Sequence, residues 1–177
     1  APAGPQLRLP PSVHLDYRLE RGLLQGEARL DWRLDGTSYQ LQLEGRLPLI
    51  GTLMSQRSSG RIDAAGLAPL RYTERRLKRS ERAVNFERPA DEGPGHIRFS
   101  ASSAEAPLRP GAQDRLSWMV QLAARAAASG ALVAGRSIEM DVASAGGEVQ
   151  AWRFVLQGQA GDGSWYWKRA TDHPEAT

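Results

Sequence analysis

Cysteine is absent from the 177 residues, histidine occurs three times, and lysine only as Lys78 and Lys168. Without cysteine there is no disulfide framework, no iron–sulfur cluster, no thiolate zinc site and no thiol nucleophile. The same absence leaves the redox compartment open. His14, His96 and His173 fall on separate segments, with no partner at helical or hairpin spacing. A zinc site needs three or four convergent ligands, so no metal and no cofactor is expected, and the imidazoles read as solvent-facing. No apolar run approaches the roughly 18 residues of a membrane-spanning helix.

Catalytic signatures are missing as well. The chain has no Gly-x-Ser-x-Gly elbow, no His-Glu-x-x-His and no Ser-x-x-Lys. Gly93-Pro94-Gly95 lacks the lysine and the following helix of a phosphate-binding loop. Paired acid–base work needs a carboxyl in an apolar pocket, yet most Asp and Glu here alternate with apolar residues on wet strand faces. Asp114 is the exception, and it reads as a helix cap. No catalytic residue is identified, and an enzyme is not expected.

What is present is enough apolar residue, 41% with a net charge of +3, to fill one core and to exclude disorder. The chain begins at Ala1 with Pro2, Pro5, Pro10 and Pro11, so residues 1–12 read as an extended linker left after removal of a signal or anchor. Residues 13–177 read as a single antiparallel β domain. Val13, Leu15, Tyr17 and Leu19 alternate with His14, Asp16, Arg18 and Glu20, the pattern of a half-buried strand. Ala28, Leu30, Trp32 and Leu34 repeat it, and Asp35-Gly36 signals a hairpin to Tyr39, Leu41, Leu43 and Leu47. Further strands are expected over 55–63, 70–77, 82–86 and 96–100, with a turn at Ala65–Pro69 and a loop over 88–95. Later strands centre on Ile138–Val142, Val149–Leu156 and Trp165–Trp167, the middle one reading as a central strand.

One helix stands out. Asp114 is a good N-cap, 115–129 runs without Gly or Pro, and Gly130 supplies the stop. About nine short strands with one main helix around residues 114–129 make a mainly β fold. A strongly curved antiparallel sheet or partial barrel, clam-like, with the helix on its concave side, is the natural solution.

Two clusters are candidate binding features. Arg71, Arg75, Arg76, Lys78, Arg79, Arg82 and Arg88 stand against Glu74, Glu81 and Glu87, the densest positive charge in the chain. Such a hairpin suits an anionic surface or glycan, or a protein partner. Nucleic acid is not expected, because only Tyr72 and Phe86 offer stacking groups there. The plainer reading is a wet hairpin face with glutamates as cross-strand partners. Trp118, Trp152, Phe154, Trp165 and Trp167 form the second cluster. If helix and sheet meet imperfectly, they line an apolar cavity for a lipid-like ligand; otherwise they fill the core.

Three segments together resemble a known group. They are Leu15-Asp16-Tyr17-Arg18-Leu19, then Gly60-Arg61-Ile62-Asp63 with Gly66-Leu67-Ala68-Pro69-Leu70-Arg71-Tyr72, and Leu108-Arg109-Pro110-Gly111-Ala112-Gln113-Asp114-Arg115-Leu116-Ser117. They resemble the domain-of-unknown-function family numbered 3108, common among exported proteins of proteobacteria, over roughly residues 13–170. The resemblance implies an antiparallel β fold and a periplasmic or envelope location; it carries no catalytic residue. Members usually run on into two more strands, whereas this chain stops at Thr177. The domain is therefore expected to lack its last strands and to leave an exposed strand edge near Trp165–Arg169.

These readings favour a non-catalytic envelope domain binding an apolar or amphiphilic, lipid-like ligand in the concave sheet. The alternative is an interaction or scaffold module that meets an envelope protein or an anionic glycan through the Arg-rich hairpin 71–88.

Overall fold

The computed structural model describes residues 7–89 and 93–170. Eight strands form one sheet in strict chain order. They are β1 (Val13–Arg21), β2 (Leu24–Asp35), β3 (Ser38–Leu47), β4 (Gly51–Asp63), β5 (Gly66–Arg76), β6 (Arg82–Glu87), β7 (Gly95–Phe99) and β8 (Glu105–Leu108). Every neighbouring pair is antiparallel. Alternation and short turns dictate this meander, with Gly36 taking the positive φ of the predicted Asp35-Gly36 hairpin. The sheet is not closed into a barrel, since β1 and β8 do not pair with each other.

A second sheet has the order β12, β11, β10, β9, from β9 (Gln113–Asp114), β10 (Ser137–Ser144), β11 (Glu148–Gln159) and β12 (Trp165–Ala170). β11 is central, as its apolar run implies. The short β9 pairs parallel with β10, Gln113 opposite Val142. That pair needs a crossover, which helix α1 (Trp118–Ala128) provides. The mainly antiparallel expectation therefore holds with one β-α-β exception. Twelve strands stand among the described residues where about nine were expected; β8 and β9 went unforeseen, because β8 carries Pro107 and β9 has only two residues, too short for any periodicity.

The helix starts later than expected. Asp114 lies in β9, and its Oδ1 accepts from the amides of Leu116 and Ser117 at 2.8 and 2.7 Å, closing the turn that leads into α1. Ser117 is the N-cap residue but makes no side-chain cap bond. The turn expected at Ala65–Pro69 is also shorter, and β5 runs through Pro69. Proline is tolerated there because register shifts between Ser59 and Gly60, leaving Leu70 as the extra residue of a bulge.

α1 lies between the two sheets. Leu116 and Val120 join Trp32, Tyr39, Leu41, Leu67, Tyr72 and Val84 in one buried cluster. Leu122 and Ala126 join Ile138, Met140, Trp152 and Phe154 in the other. A helix with two apolar sides is what the wide Leu, Val and Ala face predicts for an element sandwiched between layers. Of the Pro-rich start, residues 7–12 carry no regular structure. Leu9 packs on the first cluster, and the Trp32 indole donates to the Pro10 carbonyl at 3.0 Å. His173, read as solvent-facing, and part of the loop expected over 88–95 lie outside the described residues.

Candidate functional site

Cross-strand register arranges the core-facing side of the large sheet in rows. Val13, Trp32, Leu41, Ser58, Tyr72 and Val84 stand opposite one another from β1 to β6. All but the edge residue Val13 are buried. Two residues along each strand, on the same face, the next row reads Leu15, Leu30, Leu43, Gln56, Glu74 and Arg82. The third reads Tyr17, Ala28, Gly45, Met54 and Arg76. Here the roof ends. An 11-residue helix is about 16 Å long, whereas β2 and β4 run for about 40 Å. Leu15 and Tyr17 are 38% and 45% exposed, and Leu30, Leu43 and Met54 are half-buried. The core's apolar floor thus continues into the open and meets arginine on β5 and β6.

Alternation splits the basic hairpin. Arg71 and Arg75 occupy the outer, solvated face, where Arg71 Nη1 donates to Asn85 Oδ1 at 2.7 Å. Arg76 and Arg82 belong to the core-facing rows, and Lys78 and Arg79 sit in the turn between them. Arg76, Arg79 and Arg82 meet Arg115 around a cleft of about 350 Å³, closed on the other side by Ser144, Ala145 and Gly146. Its one carboxylate is Glu74, whose oxygens accept from Arg76 Nε, Gln56 Nε2 and Tyr72 Oη at 3.0, 3.1 and 3.2 Å. Burial pushes the Glu74 carboxyl up, but these donors outweigh it and hold it below the usual range. Among the described residues Arg79, Arg82 and Arg115 pair with no carboxylate.

Sequence reasoning missed Arg115 and Arg169. The Arg115 guanidinium lies 4.9 Å from the Trp152 ring centre and that of Arg169 3.9 Å. Desolvation, and then repulsion from Arg115, push Arg169 below its ordinary value. Nothing local in the chain announces this pair, because 54 residues separate the two positions.

The aromatic candidates are brought together. Trp118 stacks on Phe154 at 4.9 Å, and Trp152 packs edge-on against both. Trp152 and Phe154 are buried, and Trp167 leans on the cluster from β12. Trp165 stands apart, 39% exposed. β12 has β11 on one side only, so its outer edge has no partner among the described residues.

The motif residues interlock. Gln113 Nε2 donates to the Leu67 carbonyl at 2.7 Å, while its Oε1 finds no donor among the described residues. Gln121 accepts from the Leu67 amide at 2.9 Å and donates to the Ala65 carbonyl at 2.6 Å. Gly66, at φ +112°, leaves room for that contact, since a Cβ there would lie 2.3 Å from Gln121 Oε1. Asp114 Oδ2 accepts from the Ser58 hydroxyl at 2.5 Å, and Ser58 meets Tyr39 Oη at 3.0 Å. Complete burial raises the Asp114 carboxyl despite its three donors. On the outer face His14 pairs with Asp31 at 2.5 Å across β1 and β2, a partner that spacing alone did not reveal.

No curated protein and no solved structure matches the chain. One family does match, over residues 13–167, the span that contains both interlocked motifs, the open apolar floor and its arginine rim. The chain belongs to the family described as "Protein of unknown function (DUF3108)".

Proposed function

We propose that the chain is a non-catalytic binding module for an anionic amphiphile, a lipid-like molecule whose apolar part lies on the uncovered floor of β1–β4. The observation that carries this reading is the row Leu15, Leu30, Leu43, Gln56, Glu74, Arg82, which passes from apolar to cationic on one face. Four strands at about 4.8 Å spacing give that floor a width of about 14 Å, room for an extended chain. An oxyanion headgroup suits the cleft of Arg76, Arg79, Arg82 and Arg115, whose planar forks match phosphate or carboxylate oxygens. The floor, not the aromatic cluster, serves as the apolar half, because stacked rings that fill a core leave no space for a ligand.

This reading sets the protein in the periplasm or envelope, as the family resemblance implies; fractionation beside a periplasmic marker tests the setting. Native mass spectrometry of protein isolated from its own host tests the ligand. A co-purifying lipid-like mass, lost in Leu15→Gln with Tyr17→Gln, is expected. Its repeated absence overturns the reading. A second reading, an interaction module for a protein or an anionic glycan, draws on the outward Arg71 and Arg75. Glycan binding lost in Arg71→Gln with Arg75→Gln, from a protein that takes up no lipid, would favour it.

A further inference from the structure

The meander reverses at the same end of the large sheet after β1, β3 and β5. Three hairpin tips gather there: Gly22-Leu23, Pro48-Leu49-Ile50 and Leu77–Ser80. Their apolar side chains face solvent. Leu23 and Leu49 are fully exposed, at 103% and 108%, Ile50 is 57% exposed and Leu77 42%. Register brings the first two tips level, with Glu27 opposite Arg46 and Leu47 opposite Gly51. The third is set back by a few residues, where the Leu77 amide donates to the Leu53 carbonyl at 2.7 Å. Leu49 also sits at φ +68°, a conformation that Gly or Asn holds more readily. Neither folding nor hydration favours a leucine there.

Charge surrounds these tips unevenly. Arg75, Lys78 and Arg79 are exposed and pair with no carboxylate among the described residues, and Glu81 is the carboxylate of that turn. Apolar tips that project from a rigid sheet beside unpaired cations have the chemistry of a bilayer interface. The apolar groups enter the acyl boundary, and the cations meet anionic headgroups. We propose that this end of the large sheet docks on an anionic lipid bilayer, with Leu23, Leu49 and Ile50 inserted and Lys78 and Arg79 at headgroup level. Docking requires no floor residue and shares only Arg79 with the arginine cleft, so loss of docking in Leu23→Ser with Leu49→Asn separates it from the ligand reading.

Co-sedimentation with phosphatidylcholine vesicles, with and without phosphatidylglycerol, tests it. Binding is expected on the anionic vesicles and to weaken as salt rises. Leu23→Ser with Leu49→Asn is expected to lower it by about tenfold or more; asparagine suits the left-handed backbone, so the fold is kept. Lys78→Gln with Arg79→Gln is expected to lower it by about tenfold and to flatten the salt dependence. Val133→Ser, in the connection between α1 and β10, serves as control at an exposed apolar residue and is expected to change nothing. An unchanged melting curve in each variant separates lost docking from lost folding. Failure to sediment with anionic vesicles, equal binding to both vesicle types, or an equal loss in Val133→Ser overturns the proposal. So does self-association that Leu23→Ser with Leu49→Asn abolishes in a protein that ignores vesicles, since a second copy would then cover the tips.

Discussion

Asp114 shows how far a single residue can be read from sequence. Its type and place before a helical run announce a capping carboxylate, and it does bind the amides of Leu116 and Ser117. Its bond to Ser58, 56 residues away, has no local signature. Burial makes its proton harder to remove in the folded chain than in the unfolded one. Its contribution to stability is therefore full below the ordinary carboxyl value, roughly 3.9, and falls as pH rises through the raised folded value. Asp114→Asn keeps the amide contacts and lacks that slope; chemical denaturation from about pH 4 to pH 8 reads the difference. Asp114→Ala leaves three donors without an acceptor and is expected to cost about 3 kcal/mol or more in the same measurement. Gly60 is equally specific. A Cβ there would lie 2.3 Å from the Ala68 carbonyl and 2.9 Å from Tyr39, so Gly60→Ala is expected to cost about 1–3 kcal/mol in urea unfolding.

Elements were legible where period and turn chemistry agreed. β1, β2 and β3 alternate cleanly, and Asp35-Gly36 marks their second reversal, so the start of the meander follows from the chain alone. β9 did not, because two residues carry no period and its parallel partner β10 lies beyond the helix. The arginine hairpin was visible as charge, but its division into an outer pair and an inner rim depends on register. The aromatic cluster was visible as composition, and the structure places Trp152 and Phe154 in the core with Trp118 and Trp167 packed on them. As core residues, Trp118, Trp152 and Phe154 hold α1 to the second sheet. Trp152→Ala is expected to lower stability by about 3–5 kcal/mol, read by thermal or denaturant unfolding. A loss below about 1 kcal/mol would mean that the ring lines a space rather than fills one.

At the scale of the whole molecule, the fold joins long strands to a short roof. Helix and second sheet cover one end of the core-facing surface, and the remainder of the floor passes into arginine and ends at apolar tips. Each strand's pattern predicts a buried face; only the assembled layers reveal that beyond the first row the cover thins over β1–β3, while Gln56 on β4 stays buried. A spin-labelled fatty acid below its micelle concentration reports on that uncovered floor. In an NMR titration the account predicts paramagnetic broadening at Leu15, Tyr17, Leu30, Leu43 and Met54, with Trp118, Trp152 and Phe154 spared. Broadening centred on the aromatic cluster, or none anywhere, would contradict it.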